Sequence, residues 1–232
     1  VARSLAARGR PEQGLTEAHA AIAGEDRAEF YHTLGSIHRR LGQYPAAAAA
    51  LDEYVERLPP TRRTQKSQWV RSEVRFLRSF GDRTPFEIDA DQADQVHVIP
   101  FRIVRDKVVV RGRINGGNEI NLVVDTGAEQ MVLSKETAQR RGVRPITSTL
   151  SAGVGDVGLR GLEMGRADSL EIGTLMVRNV PAIIKNPPLT GMPDTRVENS
   201  ISPLAFGMST AIDYQNHQLT VAYQLPDAPA DI

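Results

Sequence analysis

The 232-residue chain contains no cysteine. That absence removes disulfides, zinc ribbons, iron–sulfur clusters and thiol nucleophiles together. It is neutral about compartment, since a cysteine-free chain survives in any redox environment. Surplus charge is also missing: Lys+Arg and Asp+Glu both number 28. No chain-wide grip on nucleic acid or anionic lipid is therefore expected. No apolar run approaches the roughly 18 residues needed to cross a bilayer, which excludes a membrane-spanning helix. The five histidines, at 19, 32, 38, 97 and 217, form no close ligand pair, so neither a metal site nor any other cofactor is expected. What remains is ordinary for a globular chain with a core: 41% hydrophobic and 24% charged residues. The chain opens on Val1 with no signal-peptide pattern, so a processed product or an expressed segment is expected.

Composition changes part-way along. Residues 1–80 are rich in Ala, Arg, Glu and Leu, whereas 96–225 favour Val, Ile, Gly, Thr and Asn. Helix-forming residues thus give way to strand and turn formers. Charge divides similarly, with 14 basic against 10 acidic residues in 1–85 and 14 against 18 in 86–232. The segment from Gly81 to Pro100 carries Asp82, Glu87, Asp89, Asp91 and Asp94 with two prolines. The expected organisation is a helical domain over 1–80, an acidic linker over 81–95, a β-rich domain over 96–225 and a tail over 226–232.

Residues 28–61 resemble one tetratricopeptide repeat of about 34 residues. Tyr31, Leu34, Gly35 and His38 fall at the spacing of its first helix, Gly42 and Tyr44 at the turn, Ala47 and Leu51 on the second helix, and Pro59 at its end. Small residues at 35 and 47 would let two helices approach. Residues 61–80, with Trp69, Val70, Val74, Phe76 and Leu77, would form a capping helix. An ordinary helical hairpin is the competing reading, and residues 46–50 are a helix-packing tract in either. Both imply packing or capture of a protein partner, not catalysis. One repeat is fewer than normally stands alone, so further repeats upstream or docking onto the second domain are expected.

The chemistry sits in the β-rich half. Residues 105–113 read as a strand, Asn115-Gly116-Gly117-Asn118 as a hairpin turn and 119–124 as a second strand. At its end stands Asp125-Thr126-Gly127-Ala128, followed by the short apolar Met131-Val132-Leu133. Ser134 can cap a helix running to Arg141, with Gly142 as its left-handed stop. A carboxylate ending a buried strand, followed by Thr-Gly, resembles the active-site turn of retropepsin-like, single-lobe aspartic proteases and their bacterial relatives. The resemblance covers residues 96–224 and extends to Leu170-Glu171-Ile172-Gly173 and to residues 211–221. It implies an all-β retropepsin-like lobe, and with the helical segment an α+β multidomain chain. A β-sandwich or barrel with a coincidental turn is the competing fold.

In that family two carboxylates face each other and share one proton, because both cannot ionise at close range. One accepts a proton from the lytic water while the other donates to the scissile carbonyl. The resemblance makes Asp125 catalytic, with Gly127 and Ala128 in its turn and the Thr126 hydroxyl reaching across to the partner lobe's turn. One such turn in a lobe of this size implies a homodimer acting on peptide or protein substrates. The bacterial periplasm or cell envelope is the compartment the resemblance suggests. One departure concerns the second loop, where Ser202 in Ser200-Ile201-Ser202-Pro203-Leu204 stands where relatives carry glycine. Serine takes positive φ less readily. A second function class therefore stays open: a weak or inactive lobe that binds peptide, with the repeats capturing a partner.

Gly153-Val154-Gly155-Asp156-Val157-Gly158 matches the dinucleotide fingerprint GxGxxG letter for letter. A Rossmann turn must open a helix, whereas the next residues keep inserting glycine, at 161 and 165. A hairpin closing over a peptide, the flap of the resembled family, or a plain β-hairpin fits better. Asp213 has no Thr/Ser-Gly after it and reads as a hairpin residue. Ser134 and Ser151 lack a nucleophile elbow.

Overall fold

The computed structural model describes residues 1–59, 65–128, 130–151, 160–185 and 199–226. The chain divides into two compact units, one of Val1–Pro85 with Ile146–Leu150, the other of Phe86–Pro145 with Ser151–Ile232.

The first unit is helical: α1 (Ala2–Ala7), α2 (Pro11–Gly24), α3 (Ala28–Arg40), α4 (Tyr44–Arg57) and α5 (Gln65–Arg78). Pro11 and Pro45 stand in the first turns of α2 and α4, where a missing N–H costs nothing. Gly42, at φ +72°, makes the α3–α4 turn. At Gly35 a Cβ would lie 2.8 Å from Leu51 Cγ and 3.2 Å from the Ala47 carbonyl. That close approach is why glycine sits there. Tyr44, Phe76 and Phe80 are buried and meet edge to face, with ring centroids 4.7 Å apart for Tyr44–Phe80 and 5.4 Å for Phe76–Phe80. Arg57 binds Asp26 at 2.6 Å and Glu53, and lies 4.0 Å over the Tyr31 ring. Ile146–Leu150, most of the strand β6 (Pro145–Ser151), groups with these helices. There the α5 hydroxyl of Ser72 donates to the Ser148 carbonyl at 3.3 Å.

The second unit opens with β1 (Glu87–Ile88) and the short α6 (Ala90–Ala93). Residues 86–94, expected as connector, are therefore folded. β1 pairs antiparallel with β8 (Leu175–Lys185), and the acidic side chains find donors there: Asp89 from Arg178 at 2.7 Å, Glu87 from Asn179 at 3.0 Å. His97, wholly buried, ties the Gln92 carbonyl (3.1 Å) to Thr174 (2.9 Å). The segment reads as a linker in sequence because the donors to its acids lie about 90 residues away.

β2 (His97–Val104), β3 (Lys107–Ile114) and β4 (Ile120–Val124) follow as antiparallel neighbours. The expected strand start at Arg105 is corrected. Arg105 and Asp106 both have positive φ, 51° and 59°, and form the two-residue turn between β2 and β3. Asn115, at φ 52°, turns β3, and its side chain holds the Arg141 carbonyl and the Asp168 and Ser169 N–H groups. β5 (Met131–Ser134) leads into α7 (Lys135–Arg140), and Gly142 at φ 68° ends that helical turn. β7 (Arg160–Ile172), β8, β9 (Ser200–Ile201), a 3-10 turn (Pro203–Phe206), β10 (Ser209–Asp213) and β11 (Gln218–Ala222) complete the order.

Hydrogen bonding runs β10-β11-β2-β3-β4-β9-β5-β8-β7, and β7 pairs back onto β3. The strands from β3 to β7 thus close a barrel, which removes their free edges. Its core includes Val110, Ile114, Leu122, Leu133, Leu170, Ile172 and Val180, all less than 1% exposed. Gly112 sits where β3 passes from β4 to β7. A Cβ there would meet Leu122 Cδ1 at 2.7 Å and Ile172 Cγ2 at 2.8 Å.

Candidate active site

β4 ends at the Asp-Thr-Gly turn for a reason visible in the backbone. The Val123 N–H donates to the Asn199 carbonyl at 2.9 Å, and the Asp125 N–H to the Ile201 carbonyl at 2.8 Å. The next bond of this parallel ladder would run from residue 203 to the Asp125 carbonyl. Residue 203 is proline and has no N–H. The Asp125 carbonyl instead takes the Ala128 N–H at 3.3 Å, which closes the turn. The Gly127 N–H donates to Asp125 Oδ1 at 3.0 Å. Asp125, Thr126 and Gly127 are exposed, and Ala128 is half-buried.

Among the described residues nothing imposes glycine at 127. Its φ lies outside the left-handed region, and an added Cβ would meet Asp125 Oδ1 at 3.4 Å, an ordinary contact. Ser202 has an extended backbone, φ −121° and ψ 109°. It needs none of the positive φ that the sequence comparison with glycine raised as an objection.

The turn is held from below by residues that spacing alone did not single out. Asn199 joins two strands: its carbonyl binds the Val123 N–H of β4, and its Oδ1 accepts the Ser134 N–H of β5 at 2.9 Å. Ser134 then caps α7, its hydroxyl accepting the Thr137 N–H at 3.1 Å. A lone asparagine ahead of a short apolar run carries no sequence signal for such a bridge.

Residues 110–193 match the family model of gag-polyprotein putative aspartyl proteases. Among solved structures, a retropepsin-like aspartic protease from Rickettsia conorii is 20% identical, with a TM-score of 0.36, over 55% of this chain and 90% of its own. The retroviral protease-like domain of Ddi1 from Leishmania major is 21% identical, TM-score 0.35, over 54% of this chain and 98% of its own. The EIAV protease in complex with the inhibitor HBY-793 is 16% identical, TM-score 0.31, covering 44% and 86%. No curated protein matches the chain.

Of the other residues singled out by sequence, Gly153 to Gly158 lie outside the described residues. Asp213 stands far along the chain, at the β10–β11 hairpin. Its Oδ1 accepts the Gln215 and Asn216 N–H groups at 2.9 Å each, and Oδ2 the Asn216 side chain at 2.7 Å. These bonds, the Asn216 side chain's first, hold its carboxyl below the usual range. Among the described residues no three His, Asp or Glu side chains gather as metal ligands. Chemically, the turn offers one exposed carboxylate on a short, hydrogen-bonded support, open to solvent and to a second carboxylate from outside its own turn.

Proposed function

We propose that the chain is an aspartic endopeptidase that hydrolyses peptide bonds with a shared-proton pair made of Asp125 and the Asp125 of a second copy. The observation that carries this reading is the exposed Asp125 carboxylate on its Thr-Gly turn, directly after β4, whose Leu122 lies in the core, inside the span that matches the aspartyl protease family. A single carboxylate cannot be both the base for water and the acid for the carbonyl oxygen in one step, whereas a pair sharing a proton can. In this reading Thr126 braces the partner's turn. Gly127, which nothing among the described residues requires, leaves room for substrate or for the second copy. Residues 153–158 cover the substrate. The helical unit serves as a tetratricopeptide-like platform for a protein partner.

The test is turnover of a mixed peptide library by wild type beside Asp125→Asn. The amide cannot act as the base, so the variant should keep the wild-type melting temperature and lose at least about a hundredfold in rate. Residual turnover within tenfold of wild type would remove Asp125 from the mechanism. A binding-only lobe is the second reading. It predicts that wild type and Asp125→Asn bind the same peptides and that neither cleaves them.

A further inference from the structure

The strand registers set three polar side chains in one row. In the parallel β4–β9 ladder Val124 pairs with Ile201, and the Asp125 N–H to Ile201 carbonyl bond carries the ladder one step on, to Asp125 beside Ser202. On the other flank β5 runs antiparallel to β9 with Val132 opposite Ser200, so Gln130 falls opposite Ser202. Paired residues share a face, and alternate residues return to it. The neighbours Ile201 and Met131 belong to the core. Asp125, Ser202 and Gln130 therefore line the opposite face, each one residue beyond an end of one of three adjacent strands.

Two of the three carry a polar atom with nothing to bond. Ser202 is 1% exposed, and its hydroxyl has no hydrogen-bond partner among the described residues; nor has the buried Oε1 of Gln130. Leaving such groups unpaired is costly, and most buried hydroxyls are paired. The extended backbone at 202 would accept alanine as readily as serine. The hydroxyl itself needs a reason.

We propose that Ser202 is a positioning residue for Asp125: its hydroxyl, which in the structure reaches neither Asp125 nor Gln130, turns about its Cα–Cβ bond to donate to the Asp125 carboxylate, and the Gln130 side chain turns to donate its amide N–H to the serine oxygen. This rests on the aspartic-peptidase reading of the turn. The inventory of donors allows it. Asp125 Oδ1 already takes the Gly127 N–H. A serine hydroxyl has one hydrogen to give and two lone pairs to receive. Rotation of the Gln130 side chain about its own bonds, and not an exchange of its amide O and N in place, is what would bring an NH2 donor to Ser202. Ala128, beside the turn, has no hydroxyl to supply such a bond. A second donor would fix the plane of the carboxylate and hence the direction from which it meets water, which is where positioning acts on rate.

The rival is a serine that only fills space. Removing an unpaired buried hydroxyl should then raise stability and leave turnover alone. The test compares full-length wild type with Ser202→Ala, Ser202→Thr and Gln130→Met for kcat, KM, melting temperature and amide exchange at Gly127. We expect Ser202→Ala to lose about tenfold in kcat with KM within twofold, to melt no lower than wild type and to exchange the Gly127 amide faster. Ser202→Thr, which keeps the hydroxyl, should restore most of both. Gln130→Met should move kcat and exchange the same way by less, and it decides the matter if Ser202→Ala does not fold. Wild-type kcat and wild-type exchange in Ser202→Ala, or a loss that follows the melting temperature, would overturn the proposal. If wild type cleaves no peptide, the peptidase reading fails by itself. Exchange at Gly127 then still decides whether Ser202 holds the carboxylate.

Discussion

At the scale of single residues, the two conspicuous aspartates of the β unit are separated by what surrounds them. Asp125 has one backbone donor and stands open at the end of β4. Asp213, also exposed, accepts three hydrogen bonds and ties a hairpin. The absence of Thr/Ser-Gly after Asp213 was enough to set it aside in the sequence, but its real work depends on Asn216 three residues on. Its lowered carboxyl has a testable sign. A carboxyl depressed by folding contributes stability above its unfolded value, near pH 4, and loses that contribution as pH falls through the folded value. Asp213→Ala should therefore speed amide exchange in β10 and β11 at neutral pH. The difference from wild type should shrink as pH is lowered below about 4. A difference that is the same at pH 7 and pH 3 would mean that the charge plays no part.

At the scale of elements, local signals were legible and non-local closure was not. Ser134 followed by a helix-forming run, and Asn115-Gly116 between two apolar runs, are short-range chemistry, and each appears as a cap or a turn. The two-residue turn at Arg105–Asp106 was missed because neither residue is glycine or asparagine. It takes positive φ through the demands of pairing β2 with β3. The placing of β9 between β4 and β5 is beyond any periodicity, since two residues carry no pattern and their partners lie about 70 residues back. Yet that insertion decides the site: it brings Pro203 to end the ladder and Ser202 into line with Asp125. The return of β7 onto β3 is equally silent in the sequence, and Gly112 is its physical mark. Gly112→Ala would press a methyl against Leu122, Ile172 and the Glu171 carbonyl, all closer than 3.0 Å. We expect a loss of about 1–3 kcal/mol, as overpacking in a closed core produces, read from denaturant melts. An unchanged midpoint would show that the barrel yields at this seam.

At the scale of the whole molecule, the question is what completes a site that has only one such turn. The chain carries a single Asp-Thr-Gly sequence, and the carboxylate on it is exposed rather than paired. If a second copy supplies the partner, turnover must depend on the population of dimers. Below the dimer dissociation constant that population rises with the square of protein concentration, so specific activity should climb on dilution series read from low to high concentration and flatten once dimers dominate. The same midpoint should appear in sedimentation. Mixing wild type with an excess of Asp125→Asn offers an independent check: mixed dimers hold one carboxylate and one amide, so inactive chains should suppress activity beyond simple dilution. Linear activity across a range where sedimentation finds only monomer would mean that the second acid comes from within the chain. Activity that the amide variant merely dilutes would mean that each copy works alone. Suppression together with a shared midpoint would place two copies of the Asp125 turn in one catalytic unit, because no other arrangement makes a chain with intact folding poison its neighbour through one atom of one side chain.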